Sequence, residues 1–199
     1  NFTYMHSLIF RSSKFTFLLL AVISFPILLE TEMILQLWLN MVPAYTVVFV
    51  RLMLCITIID AMGGAFMVAA QSTGRVRFYQ SVVGGILLAI VPVSYVVLRL
   101  GAAPWSVFLI HFCVCTVAFF VRLFIIRSMI HLSLYSYFHA VLLRCLYVLL
   151  LAMPLPIGLL YIFPATLWAG ISVCFVSVLT ISLSSYRVGL AEGERKFIK

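Results

Sequence analysis

Six long apolar runs separated by short polar breaks restrict this chain more than any other feature, at about 15–29, 43–70, 78–98, 104–126, 140–163 and 164–186. At a rise of 1.5 Å per residue, about 20 apolar residues cross the roughly 30 Å of bilayer hydrocarbon. Hydrocarbon offers no partner for backbone amides, so a spanning segment is either a helix or a strand of a closed barrel. Barrel strands alternate in character over about ten residues, whereas these runs are continuous. The expectation is an all-α, polytopic membrane helix bundle of about six transmembrane helices that takes up the whole of residues 1–199.

Composition excludes the soluble alternative. Charged residues are 9% and hydrophobic ones 65%, with a mean hydropathy of +1.25, while a soluble domain is about one quarter charged. A soluble fold of 199 residues would have to pave its surface with Leu, Phe, Val and Ile, which soluble monomers avoid beyond a few hundred Å². The net charge of +8 does not point to nucleic acid, because most of the thirteen Lys and Arg fall between the apolar runs and they form no stripe. Cys55, Cys113, Cys115, Cys145 and Cys174 all lie inside apolar runs. Thiols there act as small hydrophobes, so neither a disulfide framework nor a metal site is expected, and no cofactor is called for. The chain opens at Asn1 with no initiator Met and no signal peptide, and reads as a piece of something longer.

Punctuation agrees with hydropathy. Pro43, Pro104 and Pro164 stand where new helices are expected to begin, since proline has a preset φ and no amide to leave unsatisfied. The first run is short; Lys14 is expected to snorkel at its end, and 33–39, beyond Glu30 and Glu32, to lie at the interface. If that run starts inside the cell, one side of the membrane collects Arg11, Lys14, Arg75, Arg77, Arg122, Arg127, Arg144, Arg187, Arg195, Lys196 and Lys199, and the other only Arg51 and Arg99. Cytoplasmic loops carry the excess of Lys and Arg, so both ends of the segment are expected in the cytoplasm. The stretch 128–138, with His131, Tyr135, Tyr137 and Phe138, is expected to lie along the headgroups.

Asp60 is the most informative single residue. It stands about ten residues, or about 15 Å, before the end of its run, near the bilayer midplane. An ionised carboxylate there costs several kcal/mol unless paired, wet or protonated, so it is a functional candidate by default. Gly63 and Gly64 follow one turn later, where they loosen the helix or admit a close neighbour. Arg51 is the second candidate, with snorkelling as its bland alternative. It lies half a turn out of phase with Asp60 and so cannot pair with it within one helix; Glu30, Glu32 or an anionic substrate group are its expected partners. Ser81, Gly84, Gly85 and Ala89 offer a close-contact face to a neighbouring helix, and Pro92, Pro154 and Pro156 are expected to bend theirs.

Catalytic patterns are missing. The four histidines form no HExxH or Ser-His-Asp pattern, and Cys113 and Cys115, two apart, face different ways on a helix and make a poor chelate. With only five acidic residues, acid–base chemistry has few carriers, so an enzyme is not expected. A membrane-embedded glycosyltransferase or acyltransferase would need a loop-borne acid or histidine, and the loops offer little beyond Glu30 and Glu32.

The order of segments resembles the C-terminal part of bacterial polysaccharide flippases, the Wzx-type translocases of lipid-linked oligosaccharide within the superfamily that also holds the MATE drug exporters. The resemblance is carried by YMHSLIFRSSKFTFLLL at 4–20, LLETEMILQLWL at 28–39, VPAYTVVFVRLML at 42–54, AAQSTGRVRFYQSVVGG at 69–85 and VGLAEGERKFIK at 188–199. It implies a MATE-like fold of two lobes, of which this chain supplies the last four helices of the second lobe and an added C-terminal pair. The implied activity is transport of an undecaprenyl-diphosphate-linked O-antigen or capsule repeat unit across the bacterial cytoplasmic (inner) membrane by alternating access. Implied partners are the lipid-linked oligosaccharide, membrane lipid, a coupling proton or sodium ion, and the polysaccharide polymerase and glycosyltransferases of the same route. Neither Arg51 nor Asp60 matches a functional motif of that family; by their own chemistry Arg51 would add positive charge to a substrate pathway and Asp60 would couple a proton or cation. A cation-coupled multidrug exporter is the alternative within the same superfamily.

Overall fold

Backbone amides in an apolar sequence bond to their own segment, and the regular structure of this protein is helical throughout the residues that the computed structural model describes, 2–39, 41–162 and 167–189. The helices are α1 (Phe2–Leu29), α2 (Thr31–Trp38), α3 (Thr46–Met62), α4 (Gly64–Ser72), α5 (Val76–Leu88), α6 (Ile90–Arg99), α7 (Ser106–Ile130), α8 (Leu134–Tyr137), α9 (Leu143–Ala152), α10 (Pro154–Ile162) and α11 (Leu167–Ser184). Two π-helical turns, Phe138–Leu142 and Ser185–Gly189, complete them. Taken through their interruptions they form six stretches long and apolar enough to cross a membrane: Tyr4–Leu29, Thr46–Ser72, Val76–Arg99, Ser106–Ile130, Leu134–Ile162 and Leu167–Gly189. The chain is an all-α, multi-pass membrane protein.

Three expectations need correction. The first helix starts at Phe2, not near residue 15, because Ile9, Ser13, Phe17, Ala21 and Phe25 recur every four residues and are all buried on one face. Lys14 therefore sits in the middle of a helix at 3% exposure, not snorkelling at an end. The stretch 128–138 is not one continuous segment, although His131, Ser133, Tyr135, Ser136 and Phe138 in it are exposed. α7 runs on to Ile130, three residues make the connection, and α8 starts at Leu134, with Tyr137 fully buried. Finally, Gly84 and Gly85 have open space where a Cβ would stand, so the small-residue face of α5 makes no close helix contact.

Prolines and Gly63 set the interruptions. Pro92 has no N–H for the carbonyl four residues back, and the helix breaks at Ala89, whose own N–H turns to Ile86 O at 3.1 Å. Met153 separates α9 from α10 just before Pro154 for the same reason. Pro43 and Pro104 open turns instead of helices, with α3 and α7 starting two or three residues later. Pro164 lies outside the described residues.

The helices belong to two compact units, the first made of Asn1–Ser13 and Pro43–Tyr137, the second of Lys14–Val42 and Phe138–Lys199. In the first, α7 is the hub against which α3, α4, α5 and α6 all pack. Its buried residues include Cys115, Ala118, Phe119, Leu123, Ile126 and Ile130, at spacings of three and four. Phe66 and Tyr137 are both fully buried, with ring centroids 5.4 Å apart; Phe10 meets Tyr137 at 5.6 Å and Phe119 meets Phe66 at 5.6 Å. His6 donates its Nε2 proton to Ile130 O at 2.9 Å, satisfying a carbonyl in the last turn of α7.

In the second unit α9 and α10 pack on α11, whose buried residues are Gly170, Val173, Ser177 and Ile181. Gly170 lies against the Met33 side chain, with Glu30 Oε2 3.4 Å from where a Cβ would stand. The π-turn at the end of α11 brings Gly189 against Leu18 and Val148, at 3.0 and 3.3 Å from its Cβ position. The short helix α2 buries Thr31 and Leu35 and exposes Glu32, Gln36, Leu37 and Trp38.

Candidate functional site

The second span is interrupted near its middle, and the interruption builds the site. Gly63 separates α3 from α4. Its N–H bonds Asp60 O at 3.0 Å, three residues back, and Phe66 N–H bonds Gly63 O at 3.1 Å. This tightened turn takes Met62 O out of the regular ladder, and the buried Ser13 hydroxyl of α1 donates to it at 3.1 Å. A backbone break in an apolar span is tolerated when a side chain satisfies the freed carbonyl.

Asp60 stands fourteen residues into the Thr46–Ser72 span and twelve from its end, about 18 Å from that end. Arg122, on α7, reaches it: Nη1 donates to Oδ1 at 2.8 Å. The guanidinium passes so close over Gly63 that a Cβ there would collide with Nη1, so the residue that breaks the helix also makes room for the cation. Burial of the pair is lopsided, with the Arg122 side chain 13% exposed and that of Asp60 58%. Tyr79 of α5 and Cys115 of α7 lie within electrostatic reach of both charges. The Tyr79 hydroxyl and Arg122 Nε are buried without a hydrogen-bond partner among the described residues.

Asp60 also belongs to a longer surface. Met53, Thr57, Asp60, Gly64, Met67 and Gln71 are all exposed. At about 100° per residue they share one arc of about 80° running the length of the span. The stripe carries a carboxylate at Asp60 and an amide at Gln71, groups that lipid solvates poorly, while the Thr57 hydroxyl is already bonded to Met53 O at 2.8 Å.

Arg51 is exposed on α3, half a turn away from that stripe, and is not brought together with Asp60. An apolar run ending at 126 puts Arg122 near the end of its helix, but α7 continues to Ile130. Arg122 lies eight residues inside α7, about 12 Å from the end. The signal for this was present in the IIRSMI segment, apolar enough to carry the helix past Arg127. Lys14 is a second charge whose depth was missed, for the matching reason at the start of α1.

The broken span holds the carboxylate and the continuous α7 the guanidinium; the exposed side of Asp60 leaves lone pairs open to a proton or a cation, and a guanidinium has donors to spare for an anion. Among the described residues no three His, Cys, Asp or Glu side chains cluster as a metal site. All five cysteines are free; Cys113 is exposed and Cys115 buried, the opposite facings expected from their spacing. No protein-family model, curated protein or solved structure matches this chain.

Proposed function

We propose that this chain is the C-terminal membrane portion of a lipid-linked oligosaccharide flippase of the bacterial cytoplasmic membrane, with both of its ends on the cytoplasmic side. The observation that carries the reading is the Asp60–Arg122 pair at a break in the second span, on the edge of a polar stripe. A flippase needs a wet path for a sugar diphosphate head while the polyprenyl tail stays in lipid. A stripe of hydroxyl, carboxylate and amide provides such a wall, and the first lobe of the longer protein is what faces it across the pathway. Discontinuous helices at mid-membrane, with charged groups beside the freed backbone, are a recurrent way to build transport sites. The segment resemblance described above supplies the substrate class.

In this reading Asp60 takes the coupling proton or sodium ion, Arg122 is its resting counter-ion, and Arg51 adds positive charge to the pathway. Orientation rests on the distribution of Lys and Arg. Arg11, Lys14, Arg122 and Arg144 stand inside helices, but each lies in the half of its span assigned to the cytoplasm. Asp60→Asn, Arg122→Gln and Arg51→Gln in the intact protein test the assignment, with surface polysaccharide and protein abundance as readouts. Loss of surface polysaccharide at normal abundance is expected for the first two. Unchanged export in both would remove the pair from the mechanism, and raised sensitivity to cationic drugs with normal polysaccharide would favour the exporter instead.

A further inference from the structure

The first unit has a second polar feature, at the end of its helices and apart from the Asp60 pair. A groove of about 600 Å³ is lined by Ser72, Thr73 and Arg75 of the α4–α5 connection, by Ser128 and His131 at the end of α7, and by Met5 and Met129. A second groove of about 550 Å³ shares His131 and adds Arg127 and Tyr135. The two grooves, which share His131, thus hold two arginines, a histidine and five hydroxyl side chains between them.

From this arrangement we infer that the grooves form a phosphate-binding site that holds the headgroup of an anionic membrane lipid. Asp60 is the one acid in the sequence of the first unit, and it is engaged by Arg122 about 18 Å along the span from Ser72. Arg75, Arg127 and His131 are exposed and have no ion pair among the described residues. Two arginines with no acid beside them gain by taking an anion, and guanidinium forks match the oxygens of a phosphate, while the hydroxyls of Ser72, Thr73 and Ser128 already donate to Ala69 O, Ala70 O and Ile125 O. α5 opens beside Arg75 with no side-chain cap, so its first N–H groups add to the same potential.

Position favours a lipid over a soluble ester. The grooves lie where four apolar stretches end or begin, at Ser72, Val76, Ile130 and Leu134, the level at which headgroups meet protein. Phe78 and Tyr135 are 62% and 73% exposed there, as aromatic residues at a bilayer interface are. Met5 and Met129 give the first groove a soft apolar wall suited to a glycerol backbone. The site does not depend on the transport reading, since Arg75 and Arg127 take no part in the Asp60 pair.

The test is thermal unfolding of the purified, delipidated protein titrated with short-chain phosphatidylglycerol, with phosphatidylcholine of the same chains, and with inorganic phosphate. Phosphatidylglycerol is expected to raise the midpoint saturably and phosphatidylcholine to leave it unchanged. Each arginine near an anionic headgroup is worth about fivefold in affinity, so Arg75→Gln with Arg127→Gln should weaken phosphatidylglycerol about 25-fold. The same two positions as Lys keep the charge and should keep affinity within about threefold, which separates lost binding from lost folding. Competition by inorganic phosphate would support the phosphate site, and stabilisation by phosphate alone would show its natural ligand to be a soluble ester. Wild-type phosphatidylglycerol affinity in the double Gln variant, or equal binding of phosphatidylcholine, would overturn the proposal.

Discussion

Arg122 Nη1 lies 2.8 Å from Asp60 Oδ1 in the middle of a membrane span, and the guanidinium reaches it by crossing Gly63. The two ends of this bond differ in surroundings. Removing the acid strands a 13%-exposed cation, whereas removing the cation leaves a carboxylate that is 58% open. Asp60→Asn should therefore destabilise more than Arg122→Gln, and a double-mutant cycle should return a coupling of about 1–3 kcal/mol. Reversible unfolding in micelles measures it, and strictly additive effects would contradict a working pair.

The neighbouring glycines should part company. Alanine at Gly63 places a methyl against Arg122 Nη1, while Gly64 has nothing within 4 Å of its Cβ position. Gly63→Ala should cost about 1–2 kcal/mol by pushing the guanidinium off the carboxylate, and Gly64→Ala should stay within about 0.5 kcal/mol. Equal effects on the unfolding midpoint would mean that Gly63 matters only as a helix breaker.

Ser13 supports the break from a different helix. Its hydroxyl, 0% exposed, bonds Met62 O at 3.1 Å. Ser13→Ala leaves a buried carbonyl short of a donor and should cost about 1–3 kcal/mol. Faster amide exchange confined to 62–67 would be the local signature, and unchanged exchange there would assign the bond no role.

The stripe along the second span makes a prediction about water. In a cysteine-free background, Thr57→Cys should react with a membrane-impermeant thiosulfonate at least about tenfold faster than Leu88→Cys, because the reagent needs a hydrated thiolate. Both positions are exposed in the fold, yet only Thr57 lies on the polar face. Equal protection of both would place the stripe against protein or lipid.

Free thiols report folding directly. Cys113 is exposed, whereas Cys145 is 3% exposed and Cys115 6%. In micelles a detergent-permeant maleimide, needed because Cys113 lies seven residues inside its span, should modify Cys113 in the folded protein and reach Cys145 about 1,000-fold more slowly or worse, limited by unfolding. Comparable rates would show that the second unit opens without global unfolding.

Much of the fold was legible in the residues because each apolar run is long enough to settle its own solvent. The six spans, the breaks at Pro92 and Pro154, and the opposite facings of Cys113 and Cys115 all follow from local periodicity and from what proline lacks. Errors came at helix ends. α1 reaches back to Phe2 across Arg11, Ser12, Ser13 and Lys14, of which the last two are buried, and α7 forward to Ile130 across the exposed Arg127 and Ser128, carried by the buried Ile125, Ile126 and Ile130. Those misplaced ends hid the true depth of Lys14 and of Arg122.

The sequence by itself determined that this is a lipid-embedded bundle of six helices carrying an intramembrane acid at Asp60, since segment length, apolarity and the cost of a charge in hydrocarbon are local quantities. Only the tertiary structure decided that the acid's partner is Arg122, sixty-two residues away, that Gly63 is the gap through which they meet, and that Ser13 closes the broken ladder. Those depend on the rotation of α3 against α7 and on which face of α1 turns inward. Such angles are set by the packing of whole helices, which no single run of residues encodes.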